Sequence, residues 1–416
     1  MEREKTPYWE ASPYDLRSAT FPRRLARAAT WAVENQSVRA ACFAFALSRS
    51  LVFFLFLVGS HVTFLAPADE FGRSITEMQI RIRRTSLQEN LRQLAYRSDG
   101  GWYLGIAEHG YERKRFDLEG PHNWAFFPLF PMLVRAAAVV TGEYPLTGMA
   151  LANLFLLLGL FTLHKMVLAF GFGNRIADRT VLYTALFPAS YFFSLPWTTS
   201  LFLLTTTSSF LAAKQHRWWL AGVFGALASA TRYNGVFLFP ALLLLYWQTA
   251  PRPFRPNARA AGLLLVPAGL LLFMGYLYNL TGNALAFADS QRAWGLRWGW
   301  FWRPLWGFVS SPFALSEGWN FRLLNFAVSV LTLWGGCLLL RRRDWSWAAY
   351  TFISALIPLS VFTLQARYVI NIFPIFVLLA LAGRSPRVDQ WIRAIFIALL
   401  SLLTIFYAFF FGVALI

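Results

Sequence analysis

The segment Leu146–Gly171, LTGMALANLFLLLGLFTLHKMVLAFG, decides the fold class of this 416-residue chain. It is apolar over the length that an α-helix needs to cross the ~30 Å hydrocarbon core of a bilayer. A membrane β-strand would instead show about ten residues of alternating polarity. Comparable apolar runs follow it at Thr180–Leu195, Thr199–Ala213, Trp218–Trp247, Ala260–Leu280, Phe321–Leu340, Trp345–Leu364, Val369–Leu381 and Ile392–Ala414. The sequence therefore predicts an all-α, polytopic transmembrane bundle of roughly 10–12 helices, short or re-entrant ones included.

Composition excludes most other classes of protein. Hydrophobic residues make up 57% of the chain and charged residues only 14%, against roughly 25% charged residues in soluble domains. The net charge of +18 could suggest a nucleic-acid partner, but the basic residues cluster between the apolar runs, as the positive-inside bias requires. Cys42 and Cys337 lie within apolar runs and imply no disulfide framework. We expect membrane lipid as a partner, no nucleic acid and no metal site.

The chain is predicted to be one integral membrane domain, residues 1–416. Residues 1–39 form a cytoplasmic segment without a cleavable signal, followed by a first span at Ala40–Phe64 in which Arg49 snorkels to the inner face. Residues 67–142 form a large external loop that ends in a short apolar stretch, Trp124–Gly142, broken by two prolines. Residues 283–319 form a second external loop, and a turn at Pro196–Thr198 completes the outer surface.

Orientation follows from five basic clusters. All five are cytoplasmic only if Trp124–Gly142 does not cross the membrane and Trp218–Trp247 enters and returns to the same side. The second condition makes Trp218–Trp247 two short helices that meet at the polar tip Ala230–Gly235, since such backbone is tolerated where it lines a cavity. One long tilted span is the alternative. The clusters are Arg175 with Arg179; Lys214 with Arg217; Arg252, Arg255 and Arg259; Arg341 to Arg343; and Arg384, Arg387 and Arg393.

The densest polar segment is RSDGGWYLGIAEHGY, Arg97–Tyr111. A carboxylate beside a cavity at the membrane surface is a candidate general base, which favours Asp99. Asp99 could equally be a solvated loop acid or a helix cap, and the neighbours Glu108 and His109 are more typical of structural residues.

Arginines at membrane depth are the second group of candidates. Arg232 lies at the centre of its apolar run, and Arg367 lies between two runs on the outer side. Charged side chains inside a membrane are expensive and mark functional sites, and a guanidinium suits a phosphate. A structural ion pair with a carboxylate is the alternative.

The second external loop contributes Gln291 and Arg292, followed by Trp294, Trp298, Trp300, Trp302 and Trp306. An aromatic belt at the membrane interface explains most of these tryptophans, and sugar stacking or a lipid-tail groove is the sharper alternative.

In order along the chain, six segments resemble the PIG-V family of mannosyltransferases, membrane enzymes of the GT-C glycosyltransferase class. Two positions depart from the family pattern: Ser98 stands where the family usually has Trp, and Thr199 stands where an acidic residue often precedes Ser200. The segments are DGGWYLGIAEHGY (Asp99–Tyr111), AFFPLFP (Ala125–Pro131), FPASYFFSLPWTTSLFLL (Phe187–Leu204), ASATRYNGVFLFP (Ala228–Pro240), GNALAFADSQRAWG (Gly282–Gly295) and ARYVINIFPIFVLLA (Ala366–Ala380).

The resemblance implies a GT-C fold and transfer of a hexose, with mannose the first candidate, from a polyprenyl-phosphate donor to a lipid-linked or glycan acceptor, with inversion. It implies that Asp99 occupies the family's acidic position after the first span and is the catalytic residue. Substrate-binding residues are predicted to be Arg232, Arg367, Arg292, Gln291, Trp102, Tyr103, Glu108 and His109. No cofactor is predicted beyond the lipid-phosphate sugar donor.

Three other functions stay open at this stage. A transporter or flippase of lipid-linked sugars would share the bundle and the buried arginines, a non-catalytic subunit would share the fold, and another GT-C enzyme would use a different sugar. The arginine-rich composition is typical of a bacterial source. The predicted location is thus the bacterial cytoplasmic membrane with the site on the external face, or the endoplasmic reticulum membrane if the source is eukaryotic.

Overall fold

The computed structural model describes residues 23–65, 79–82, 86–250, 258–311, 322–361 and 363–409 and is almost entirely helical there. The all-α prediction is confirmed, with one addition. Strand β1 (Val62–Leu65), at the end of the predicted first span, pairs antiparallel with β2 (Gln79–Ile82) in the loop predicted to be external. The α-helices are α1 (Arg23–His61), α2 (Leu87–Ala95), α3 (Asp99–His109), α4 (Leu129–Thr141), α5 (Tyr144–Ala169), α6 (Asn174–Leu186), α7 (Thr199–Lys214), α8 (Trp218–Thr231), α9 (Leu238–Thr249), α10 (Ala268–Thr281), α11 (Ala286–Asp289), α12 (Arg303–Ser310), α13 (Arg322–Arg341), α14 (Trp345–Val361), α15 (Ala366–Val369), α16 (Phe373–Ala382) and α17 (Pro386–Phe409). Short 3-10 helices cover Asn123–Ala125, Ser190–Ser194, Tyr233–Phe237, Ala258–Leu265 and Ser290–Trp294.

Four helices in these ranges are long and apolar enough to cross a membrane: the Gln36–Gly59 part of α1, all of α5, the Leu323–Arg341 part of α13 and the Pro386–Ala408 part of α17. The 3-10 helix Ala258–Leu265 and α10 form a further candidate that is bent by 41°. The bend falls at Pro267, which precedes α10 and interrupts the predicted straight span Ala260–Leu280. Shorter apolar helices are α4, α8, α14 and α16. The protein is therefore a multi-pass integral membrane protein.

The centre of the bundle is the packing of α5 on α7. Leu156, Leu160 and Leu163 of α5 are completely buried. The Thr162 and Thr207 hydroxyl oxygens lie 2.7 Å apart and join the two helices by a hydrogen bond. This pair forms a rigid wall behind the segment that links α6 to α7.

The Trp218–Trp247 region consists of two helices, α8 and α9, as the two-helix prediction required. Arg232 follows α8 with extended backbone, and the 3-10 helix Tyr233–Phe237 leads into α9. A Cβ at Gly235 would collide with the backbone of Ala228 and Ser229, so only glycine lets the chain fold back against the end of α8. The region is thus not one continuous helix, because the helix is broken at Arg232. It stays a prediction that the start of α8 and the end of α9 both lie on the cytoplasmic side of the membrane.

The snorkelling prediction for Arg49 is wrong. Arg49 is only 3% exposed and points into the bundle, where oxygen atoms surround its guanidinium. Its Nη1 donates to the Ser190 carbonyl and the Ser194 hydroxyl, both at 2.9 Å. Its Nη2 donates to the Ala185 carbonyl at 3.2 Å and the Ser190 hydroxyl at 2.9 Å, and its Nε donates to the Ser48 hydroxyl at 3.2 Å. Arg49 therefore ties α1 to the α6–α7 link.

The outer turn predicted at Pro196–Thr198 is not on the surface. Every residue from 183 to 203 is buried, and α3 lies against the turn. The Thr198 hydroxyl is 3.3 Å from the Tyr103 hydroxyl. The turn therefore lines the interior under the first external loop, which places Trp197 and Thr198 against the helix that begins at Asp99.

The short stretch Trp124–Gly142 folds as the prolines predicted. Its helix α4 has 13 residues, or roughly 20 Å at 1.5 Å per residue, which is too short to cross the bilayer core. Arg135 on α4 donates to the carbonyls of Ala107 at 2.6 Å and Glu108 at 3.0 Å. These bonds satisfy two carbonyl groups at the C-terminal end of α3 and fix α4 beside it.

The tryptophans of the second external loop lie mostly at the surface. Trp298 is 76% exposed and Trp306 is 67% exposed. The Trp300 and Trp302 rings stack with centroids 4.7 Å apart. This distribution agrees with an aromatic belt at a membrane interface. Residues 312–319 of the predicted loop, like residues 1–22, 66–78 and 83–85 of the N-terminal regions, lie outside the described part of the chain.

Candidate active site

Asp99 is the first residue of α3, directly after a tight corner that follows α2. Ser98 has a φ of 49°, a conformation that is uncommon for a residue with a side chain. A Cβ at Gly100 would collide with the Ala95 carbonyl oxygen, so glycine is required there. The sequence Ser98-Asp99-Gly100 therefore folds into a strained corner that fixes the position of the carboxylate, and such strain is typical of functional sites.

Arg367 pairs with this carboxylate across 268 positions of the chain. Its Nη1 donates to Asp99 Oδ2 at 3.1 Å, and the two side chains are 11% and 25% exposed, respectively. Its Nε donates to Gln365 Oε1 at 2.6 Å, and its Nη2 donates to the Tyr368 hydroxyl at 3.0 Å. A guanidinium carries five N–H donors, so two remain open among the described residues. Arg367 can therefore bind a further anionic group without leaving its partners.

A second guanidinium lies close to this ion pair. Arg232, at the tip between α8 and α9, has its guanidinium carbon 5.8 Å from the Tyr368 ring centroid, and Arg367 lies 5.0 Å from the same ring. Asp99, Arg232 and Arg367 all act electrostatically on the Tyr103 hydroxyl. The structure thus brings four of the predicted site residues together, although they are far apart in sequence.

The aromatic residues of α3 form one wall of the site. Tyr103 is buried edge-on against Phe126 and Phe130, with ring centroids 5.1 and 6.1 Å away. Trp102 stacks on Phe126 with a centroid distance of 5.5 Å. Tyr103 therefore belongs to the site, whereas Trp102 lies beside it as part of the packing between α3 and the α4 region.

Glu108 and His109 lie at the opposite end of α3. The rise of 1.5 Å per residue puts them roughly 14 Å or more from Asp99 along the helix axis. Glu108 accepts a hydrogen bond from Tyr96, and His109 is 82% exposed with its Nε2 3.6 Å from Glu108. The structure does not bring these two residues together with Asp99, because they lie at the other end of α3. Their role in substrate binding stays a prediction.

Arg292 and Gln291 stay in the second external loop. Arg292 is 66% exposed and pairs with Asp289 at 3.6 Å, and Asp289 also accepts from Asn283 at 3.0 Å. Gln291 is half-buried in the same 3-10 turn. Within the described ranges, neither residue forms a hydrogen bond or ion pair with Asp99 or Arg367.

The sequence analysis missed three residues of the site: Tyr368, whose contacts are given above, and Trp197 and Gln365. The Arg367 guanidinium carbon lies 5.6 Å from the Trp197 ring centroid, and Gln365 holds Arg367 through its amide oxygen. Both side chains are 3% exposed. Trp197 lies inside one of the segments that resemble the PIG-V family, and Gln365 directly precedes another. Nothing in the sequence indicated that these two residues would contact Arg367.

The first external loop carries its own cluster of charges away from the site. The buried His122 contacts Glu112 through Nδ1 and Asp117 through Nε2, each at 2.8 Å. A hydrogen bond from Lys114 and one from the backbone amide of Glu119 lower the pKa of Asp117 to about 2. Both ring nitrogens of His122 are thus engaged by carboxylates, which is typical of a structural histidine that orders a loop.

Among solved structures, the chain is similar to the oligosaccharyltransferase of Archaeoglobus fulgidus. The apo form gives a TM-score of 0.42 at 11% sequence identity and covers 87% of this chain and 55% of that chain. The archaeal enzyme in complex with an inhibitory peptide and a dolichol-phosphate gives a TM-score of 0.38 at 11% identity, over the same fractions.

No family model matches the chain. Among curated proteins, GPI alpha-1,6-mannosyltransferase 2 of Rattus norvegicus is 33% identical over 150 residues, which are 34% of this chain and 29% of that protein. The Mus musculus protein of the same name is 31% identical over 157 residues, which are 35% of this chain and 30% of that protein. The match thus spans less than a third of the relatives' length. The distant resemblance to PIG-V is confirmed over about a third of the chain.

Proposed function

We propose that the protein is a GT-C glycosyltransferase that transfers a hexose, with mannose the first candidate, from a polyprenyl-phosphate donor to a lipid-linked or glycan acceptor. The observation that carries the proposal is the Asp99–Arg367 pair, a carboxylate fixed by a strained corner and bonded to a guanidinium at 3.1 Å. The distant similarity to a GPI mannosyltransferase supports mannose. The site would face the outside of a bacterial cytoplasmic membrane.

Asp99 is the general base of the proposed reaction. The acceptor hydroxyl attacks the anomeric carbon of the sugar, the new C–O bond forms as the bond to the phosphate oxygen breaks, and the hydroxyl proton passes to Asp99. The polyprenyl phosphate departs with the electron pair of the broken bond, and the anomeric configuration inverts. The anomeric carbon gains oxocarbenium character on the way, as in glycoside chemistry generally.

Arg367 and Arg232 hold the phosphate. Arg367 has two N–H donors left, and Arg232 has no carboxylate within ion-pair distance in the described part of the chain. Both charges are fixed before the donor arrives, which is the condition for stabilising the charge that develops on the leaving oxygen. Arg367 donates to Asp99 through Oδ2 only, so the other carboxylate oxygen, Oδ1, can accept the hydrogen bond of the acceptor hydroxyl.

The test uses purified protein in lipid, radiolabelled polyprenyl-phosphate mannose and a membrane lipid extract as acceptor. General-base catalysis contributes about 10²–10⁴-fold, so Asp99→Asn should lower transfer by about 10³-fold with an unchanged melting temperature. Asp344→Asn is the matched control, because Asp344 is a partly exposed carboxylate that pairs only with nearby Arg342 in the described structure. Near-full transfer by Asp99→Asn would contradict the base assignment. No transfer by the wild type would favour another sugar donor or a flippase.

A further inference from the structure

Two neutral N–H donors next to Arg367 have no hydrogen-bond partner in the described part of the chain. The indole Nε1 of Trp197 and the amide Nε2 of Gln365 are both buried and form no hydrogen bond with any described residue. Native proteins pair nearly all buried polar groups, so each exception needs an explanation. A ligand that binds here and accepts hydrogen bonds from both groups would explain why they lack a partner.

The orientation of each donor is fixed by its neighbours. The Arg367 Nε donates to one end of the Gln365 amide, and since a guanidinium only donates, that end must be the oxygen. The free end of Gln365 is therefore the NH₂ group. The Trp197 Nε1 lies 3.3 Å from the position that a Cβ on Gly100 would occupy, which places the indole N–H beside the residue that follows Asp99.

We propose, on the basis of the proposed function, that Trp197 and Gln365 complete a phosphate-binding recess around Arg367. The recess then holds the phosphate of the lipid donor with two guanidinium groups and two neutral N–H groups.

The chemistry of the donor set favours phosphate over sugar. Arg232, Arg367, Trp197 and the free end of Gln365 offer only N–H groups, and Asp99 is the carboxylate acceptor beside them. A phosphate diester presents oxygens that only accept, so it matches four donors at once. A sugar hydroxyl donates as well as accepts, and would need acceptor atoms that Trp197 lacks.

The experiment measures binding of undecaprenyl phosphate and of undecaprenol to the full-length protein in nanodiscs. Trp197→Phe removes the N–H and keeps an aromatic ring, and Gln365→Glu keeps the acceptor for Arg367 while replacing the donor by a negative charge. Trp347→Phe is the matched control. Its Nε1 is also buried without a partner, but its ring packs on Phe170 and Phe172, away from Arg367.

We expect Trp197→Phe to weaken binding of undecaprenyl phosphate about tenfold and Gln365→Glu to weaken it more, with no change for Trp347→Phe. Binding of undecaprenol should be the same in all four proteins. Wild-type affinity in both Trp197→Phe and Gln365→Glu would overturn the recess and leave the proposed function standing. Failure of the wild type itself to bind the lipid phosphate would overturn the proposed function too.

Discussion

Two buried arginines, Arg49 and Arg367, occupy opposite kinds of environment in this protein. Arg49 donates five hydrogen bonds, all to carbonyl or hydroxyl oxygens of Ser48, Ala185, Ser190 and Ser194, and none of the described carboxylates is bonded to it. Arg367 donates three, one of them to the carboxylate of Asp99. A guanidinium has five N–H groups, so Arg49 is saturated and Arg367 is not.

The difference separates a structural cation from one that is available to a substrate. A saturated guanidinium has no N–H group left for a ligand, and its partners are backbone carbonyls and serine hydroxyls that it holds in place. An unsaturated one beside further unpartnered donors, at a strained corner, is a site in which a ligand completes the hydrogen bonding. Burial of an arginine within a membrane protein therefore does not by itself indicate function; the count of open donors does.

The largest expected effect is on folding, from Arg49→Met. The change removes all five Arg49 hydrogen bonds and leaves the buried Ser190 carbonyl without this donor, whereas the Ala185 carbonyl keeps the Ser190 hydroxyl, at a cost of about 3 kcal/mol in unfolding free energy. The apparent melting temperature in detergent should fall by roughly 5–10 °C. Arg39→Met is the control, because Arg39 is exposed on the same helix and its loss should leave the melting temperature unchanged. Equal melting temperatures for the two variants would refute the structural assignment of Arg49.

A smaller effect on substrate binding is expected from Arg232→Gln. The second guanidinium has no carboxylate partner among the described residues, so its removal costs the fold little and weakens the hold on the donor phosphate. We predict a KM for the lipid-phosphate sugar about tenfold higher, with kcat lowered less and the melting temperature unchanged. Arg217→Gln, at the exposed start of α8, should change neither constant. Normal KM in Arg232→Gln would remove this residue from the site.

The smallest effect is expected from Arg292→Ala. Its guanidinium is 66% exposed and pairs with Asp289 three residues away, an arrangement worth about 0–1 kcal/mol. Steady-state kinetics should show kcat/KM within about twofold of the wild type. A tenfold loss of kcat/KM would indicate that Arg292 contributes to the substrate-binding site.

The sequence predicted the parts of the fold that depend on local pattern. The apolar run at α5, the proline-broken stretch at α4 and the polar tip at Arg232 all carry their signals within a few residues. Asp99 and Arg367 were each candidates, but their pairing joins positions 268 apart and follows from packing that the sequence alone does not give.

The differences between prediction and structure have the same origin. Arg49 resembles a residue that snorkels, because its acceptors lie about 140 positions away, within the apolar run Thr180–Leu195. Glu108 and His109 were grouped with Asp99 by closeness in sequence, although a helix of eleven residues separates its two ends. Trp197 and Gln365 carry no sequence signal, because an unpartnered donor is visible only once its surroundings are known.

The most direct test replaces each of the two arginines by lysine and measures melting temperature and transfer rate for both variants side by side. Lysine keeps the charge and loses the planar fork of donors. Arg49→Lys should lower the melting temperature by roughly 5 °C, with turnover of the folded protein within about threefold of the wild type. Arg367→Lys should keep the wild-type melting temperature and lose about 100-fold in turnover. The same loss of turnover in both folded variants would contradict the account.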